Sequence, residues 1–339
     1  MELAAKAARR IRRYWRPVKM SWRYANYTLK MPRPWAYPHR MYLESTNACN
    51  LRCIMCPTGL GLVRRKKGFL DWHLFRQIVD EMAPHVSMTT LHIWGEPLLH
   101  PRIVEMIAYC RDHELSAEIS TNATLLTPEL SQAILDAGLE AIYLCLDGTT
   151  PETYETVRQE ASFDKTLANI SKFLELRTQG EYERPITKLQ IIELAPTVDE
   201  IECFKRVWSV PGVDRINVKA LDSWGDQVQG ISSLRPNEKP PLPRRYPCPN
   251  LWYHVHIYWD GTLVCCDRDF DASYPLGNVQ DGVMKAWRGP EMTRLRLKHI
   301  NHDLDDVPSC ANCSEWAWWQ PTWTTAQGNV PIPRQQGTP

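Results

Sequence analysis

Eleven cysteines occur in this chain of 339 residues, and eight of them fall into two groups. Cys49, Cys53 and Cys56 stand in a C-x3-C-x2-C spacing within ESTNACNLRCIMCPTG, directly after the strand-like run Met41, Tyr42, Leu43. Three thiolates on one tight loop can hold three irons of a [4Fe–4S] cluster and leave the fourth open. Zinc would want four protein ligands in close pairs, and no fourth Cys or His lies nearby. Three inert buried cysteines are the remaining possibility, but such residues are normally scattered over core faces. The second group comprises Cys248, Cys265, Cys266, Cys310 and Cys313. Tyr258-Trp259-Asp260-Gly261-Thr262-Leu263 between them has the form of a hairpin with an Asp-Gly turn, its return strand carrying Cys265 and Cys266. Paired Cys separated by a hairpin suit an iron–sulfur cluster or tetrahedral zinc.

The elements that must position these thiols alternate. Short apolar strands are expected at Met41–Thr46, Thr89–Trp94, Ala117–Thr121, Ala141–Asp147, Lys188–Glu193 and Arg215–Ala220. Helical patterns fall between them at Trp72–Met82, Ile103–His113, Pro128–Ala137, Lys165–Leu176 and Asp199–Trp208. Such alternation implies parallel β/α units with right-handed crossovers, as in a doubly wound sheet or a barrel. The first cysteine loop sits at the C-terminal end of the first strand, where functional loops gather in either architecture. A partial (β/α)6 TIM-like barrel followed by a small C-terminal iron–sulfur domain fits best.

The C-x3-C-x2-C loop resembles the signature of radical S-adenosylmethionine (SAM) enzymes. That resemblance implies a cluster whose open iron chelates SAM, and cleavage of SAM to a 5′-deoxyadenosyl radical that takes a hydrogen atom from substrate. It also assigns strand ends. Trp94-Gly95-Glu96-Pro97 is similar to the family's GGEP motif, with Trp94 in place of the first Gly, and Glu96 would contact the SAM amino group. Ser120-Thr121-Asn122 stands where the family contacts the SAM ribose and carboxylate. Leu146-Asp147-Gly148 closes the fourth strand, and Arg158, on the next helical stretch, would pair with the SAM carboxylate. Residues 248–320 resemble the SPASM/Twitch extension of the same enzymes, which binds auxiliary [4Fe–4S] clusters. Five cysteines are too few for two such clusters, so one is expected, held by Cys248, Cys266, Cys310 and Cys313. Cys266 is preferred to Cys265 because relatives carry the ligand five residues after the hairpin Gly, and because successive strand residues face opposite sides. Cys265 is then a spare thiol. Cys145, which alternation puts on one face with Tyr143 and Asp147, is a second, and a thiol S–H can give a hydrogen atom to a carbon radical. Small buried Cys filling space is the plain alternative for both. Cys110, at helical spacing from Ile103 and Ile107, belongs to the core, with Cys203 in the same class.

Composition sets the outer bounds. Net charge is +1, which gives no field to gather nucleic acid. No run approaches 18 apolar residues, and no secretory signal is visible, so a reducing cytoplasm is expected. Residues 1–40 form a basic, aromatic arm with Arg9, Arg10, Arg12, Arg13, Arg16 and Lys19, suited to an anionic surface or to packing on the barrel. The barrel would run over 41–221, a Gly/Pro/Ser-rich linker over 222–247, the auxiliary domain over 248–320 and a loose tail over 321–339. The resemblance implies a flavodoxin- or ferredoxin-type electron donor. Its single auxiliary cluster and short N-terminus are similar to the aminocyclitol- and sugar-modifying members, so dehydrogenation or epimerisation at a carbinol carbon of a sugar, aminocyclitol or nucleoside is expected. A peptide- or protein-modifying maturase is the alternative, and a non-catalytic iron–sulfur or zinc protein the alternative of another class.

Overall fold

The computed structural model describes residues 21–318 apart from 239–241 and 243. The arginines of the basic arm, Pro240, Pro241 and Pro243 of the linker, Trp319, Trp323 and the tail lie outside the described residues. Strands β1 (Arg40–Leu43), β3 (Met88–Thr90), β4 (Ser116–Thr121), β5 (Ala141–Cys145), β7 (Ile186–Glu193) and β8 (Arg215–Ala220) pair in parallel and in that order. Two short strands, β2 (Arg52–Cys53) and β6 (Arg158–Gln159), form a separate antiparallel ribbon. Helices supply the crossovers, and local sequence explains where each begins. Asp71 caps Trp72–Met82, Thr127 caps Pro128–Ala137, and Ser162 caps Phe163–Gln179, each accepting a backbone N–H of the first turn. Gly138 ends the second of these in a left-handed conformation. Apolar residues at helical spacing, such as Phe75, Ile78, Val79 and Met82, turn inward onto the sheet.

The two faces of the sheet differ in kind. On the face covered by helices lie Met41, Leu43, Ile119, Ile142, Leu144, Leu189 and Ile191, all fully buried in one hydrophobic core. The opposite face, read across the strand register, carries Arg40, Tyr42, Thr90, Glu118, Ser120, Tyr143, Cys145, Lys188, Gln190, Asn217 and Lys219. Arg40 pairs with Glu118 and donates to the Thr90 hydroxyl, so the floor of this polar face is internally satisfied. Strand alternation has made the barrel's lining mostly polar, with Met88, Ala141 and Ile192 as apolar members of that face.

Three expectations need correction. The sheet has eight strands rather than six, because β9 (His254–Ile257) pairs in parallel with β1 and β10 (Leu263–Val264) pairs antiparallel with β9. The hairpin does form, with Gly261 at φ 84°, but its return strand stops at Val264. Cys265 and Cys266 therefore lie beyond the strand, where alternation no longer applies, and their sulfurs come within 3.9 Å. Arg158 is not helical: it follows the additional helix Pro151–Val157 and opens β6, opposite Cys53.

Candidate active site and iron–sulfur centres

The loop after β1 carries Cys49, Cys53 and Cys56, with Cys53 and Met55 buried. Its shape depends on close backbone approach. A Cβ on Gly59 would lie 2.4 Å from the Cys53 carbonyl oxygen. Gly95, at φ 79°, passes so near that a Cβ there would meet Ala48 O at 2.5 Å and Thr46 O at 2.6 Å. The Glu96 amide then donates to Ala48 O at 2.8 Å, locking the Trp94–Pro97 turn against the cysteine loop. Burial pushes the Cys49 thiol up to about 11 and the Cys53 thiol to about 12, so a metal must displace their protons on binding. The Arg158 guanidinium, 4.0 Å from Cys53 Sγ, favours the thiolate that results.

Glu96 is fully engaged by the protein. One of its carboxylate oxygens accepts from Thr121 Oγ1 at 2.7 Å and Leu98 N at 3.1 Å, and the other from Asn122 N at 2.7 Å. The Asn122 side chain donates to Asn50 Oδ1 and accepts from Thr124, while Asn50 donates to Thr124 Oγ1. Arg158 and Asp147 form a buried ion pair at 2.7 Å, and the other Asp147 oxygen accepts from Ile192 N. Sequence reasoning named Glu96, Asn122, Asp147 and Arg158 but missed Asn50 and Thr124, which tie them to the cluster loop. The signal was available in part, since Asn50 lies between two of the cysteines.

Ser120 and Cys145 meet on the inner face. Ser120 Oγ stands 3.1 Å from Cys145 Sγ, Gln190 Nε2 donates to the same sulfur at 3.4 Å, and Asn217 donates to Gln190 Oε1 at 2.8 Å. The thiol is thus held in a chain of polar groups that crosses four strands. Cys265 is placed elsewhere: it is buried beside Cys266 and 3.4 Å from Ser309 Oγ, among the residues of the second cysteine group.

Cys248, Cys266, Cys310 and Cys313 line one small cleft together with Arg268, His299 and Glu315. Burial drives Cys248 up to about 12 and raises Cys313. His299 is neutral, pushed down to about 3 by burial, and its Nε2 has no partner in the cleft wall. Among the described residues no three His, Cys, Asp or Glu side chains converge on the position of a single ion. Thiolates are the usual donors to iron–sulfur clusters, so both sets suit clusters in donor type. Between the two centres, Trp224 closes over the first loop through a 2.8 Å bond from its indole N–H to Met55 O. Arg268, beside the second, holds Asp222 at 2.5 Å.

Residues 43–182 match the Radical SAM superfamily and residues 248–314 the SPASM iron–sulfur cluster-binding domain. A Pyrococcus furiosus protein described as the tungsten-containing aldehyde ferredoxin oxidoreductase cofactor-modifying protein is 27% identical over 81% of this chain and 86% of its own length. The mycofactocin maturase MftC of Mycobacterium tuberculosis is 31% identical over 54% of this chain, a match spanning 46% of that protein. Among solved structures, BtrN in complex with AdoMet and 2-DOIA superposes with a TM-score of 0.55 at 14% identity, over 82% of this chain and 93% of BtrN. SuiB of Streptococcus suis bound to precursor peptide SuiA gives 0.62 at 12% identity, over 88% of this chain and 75% of SuiB. SAM and two [4Fe–4S] clusters are accordingly its cofactors. The chain belongs to the radical SAM superfamily and carries a C-terminal SPASM domain.

Proposed function

We propose that this enzyme removes a hydrogen atom from a carbinol carbon of a hydroxylated small molecule of the sugar, aminocyclitol or nucleoside type. The observation that carries the reading is the polar inner face of the sheet, from Ser120 through Cys145 and Gln190 to Asn217, at the strand ends nearest the first cysteine loop. Hydroxyl groups of a substrate can exchange hydrogen bonds with each of these side chains, which an apolar lining would not permit. When bound, the first cluster and SAM supply the 5′-deoxyadenosyl radical. Cys49, Cys53 and Cys56 hold that cluster, while Glu96, Ser120, Asn122, Asp147 and Arg158 form the walls against which SAM seats. Cys248, Cys266, Cys310 and Cys313 hold the auxiliary cluster. A flavodoxin- or ferredoxin-type protein is the electron donor.

Cys145 rather than Cys265 is the thiol placed to act on substrate, since it faces the lining and Cys265 faces the auxiliary ligands. As a hydrogen-atom donor it would give S–H hydrogen to the substrate carbon and become a thiyl radical, reset by one electron and one proton. The test is SAM cleavage by anaerobically reconstituted protein in deuterated buffer with panels of aminocyclitols, sugars, nucleosides and short peptides. Stimulation by a polyol, with product either two hydrogens lighter or inverted and carrying one deuterium, supports the reading. Inverted product lost in Cys145→Ala but not in Cys265→Ala places the donor. Stimulation confined to peptides would move the enzyme to the maturase alternative.

A further inference from the structure

The last two strands of the sheet carry more cations than their surroundings compensate. Lys188 and Arg215 are register partners on β7 and β8, and Asn217 and Lys219 continue the same face toward the mouth. Among the described residues Lys188 donates to the Tyr143 hydroxyl, at 2.8 Å, with its ammonium 4.1 Å from that ring's centre. Among the described residues neither Arg215 nor Lys219 has a carboxylate within salt-bridge distance. The two carboxylates whose fields reach Lys219, Asp222 and Asp267, are both engaged by Arg268, at 2.5 and 3.2 Å. Lys219 lies one pleat beyond Asn217, which anchors the Gln190–Cys145 chain, so it continues the same face of β8 past that chain. Its charge also reaches Cys145, where it opposes the rise that burial imposes on the thiol, and His92, where it adds to the lowering by burial.

An ammonium with no carboxylate partner on this face is available to pair with an anionic ligand. β8 is the edge strand of the sheet, so this stripe borders the end of the lining rather than its middle. The geometry points to a substrate that carries an oxyanion, a carboxylate or phosphate group, seated on Lys219 with Lys188 and Arg215 steering it along β8. The inference rests on the hydroxylated-substrate reading above and narrows it: a neutral polyol would leave Lys219 without a partner.

The experiment is equilibrium dialysis of cluster-loaded, SAM-bound protein against radiolabelled glucose, glucuronate and glucose 6-phosphate, with SAM-cleavage kinetics alongside. Binding of one or both anions about tenfold tighter than glucose is expected, and the pair separates carboxylate from phosphate. Lys219→Met should erase that preference, raising KM for an anionic turnover substrate about tenfold with kcat nearly unchanged, and Lys219→Arg should restore it. Equal binding of all three probes, or an anion preference that survives in Lys219→Met, overturns the proposal while leaving the polyol reading intact. A comparable loss of SAM affinity in Lys219→Met would assign the lysine to SAM and overturn it as well. Turnover of peptides alone would instead remove the polyol reading itself.

Discussion

Glu96 and Arg158 stand out in the sequence through their motifs, and the structure ties each of them firmly into the protein itself. Glu96 accepts three hydrogen bonds from buried groups, those of Thr121, Asn122 and Leu98. Glu96→Ala would strand them, at about 1–3 kcal/mol for each unsatisfied donor. The variant should therefore lose stability in chemical denaturation as well as SAM affinity; an unchanged midpoint would show that these donors find water instead. Arg158 neutralises Asp147, which is fully buried. Removing one partner of a buried pair costs about 3–5 kcal/mol, so Arg158→Ala confounds folding with binding. Arg158→Lys is the cleaner probe, since it keeps the charge and loses the two-pronged grip. It should weaken SAM binding measured by calorimetry about tenfold while iron content stays at that of the parent. Spacing cannot disclose such ties, because partners like Leu98 and Ile192 contribute only backbone N–H groups that every residue possesses.

Elements were read more accurately than the joints between them. Trp72–Met82 and Pro128–Ala137 form at the bounds their periodicity and caps imply, and β8 spans the expected Arg215–Ala220. β9 escaped notice because His254, Val255, His256 and Ile257 alternate polar and apolar over only four residues, and nothing local says that their partner is β1, more than two hundred residues earlier. The placement of Cys265 and Cys266 failed for a different reason: the chain leaves the strand one residue before them, a boundary within the ordinary scatter of any sequence pattern. The Trp94–Pro97 turn gives the sharpest test at this scale. Gly95→Ala combines a left-handed backbone with contact at 2.5 Å against Ala48 O, so the turn and the cysteine loop must separate. Iron analysis should find the first cluster depleted, toward about four irons per chain, with the auxiliary cluster retained. Full iron occupancy at both centres would show that the loop can yield without losing its ligands.

At the scale of the whole molecule, the auxiliary segment is built into the catalytic sheet rather than appended to it. β9 lies against β1, the strand that delivers the first cysteine loop, with Val255 and Ile257 in the same core as Met41 and Leu43. Polar ties run the same way: Arg65 pairs with Glu44 at 2.8 Å and also donates to Phe270 O, and Ser223 donates to Glu315 beside Cys313. No helix among the described residues is long and apolar enough to cross a membrane. One consequence is that the two centres share their stability. Cys49→Ala/Cys53→Ala/Cys56→Ala should leave about four irons and abolish SAM cleavage, yet fold, because the eight-stranded sheet and the main core behind it are untouched. Cys310→Ala/Cys313→Ala should do more than empty its own site. Loss of that cluster loosens the chain around Ser309 and Glu315, and through Ser223 and Arg268 the end of β8. Calorimetry should therefore show one cooperative unfolding transition in the parent, and a lower midpoint for that same transition in the double variant. Two separate transitions, with the barrel's midpoint indifferent to the second cluster, would mean that the eight-stranded sheet does not couple the centres.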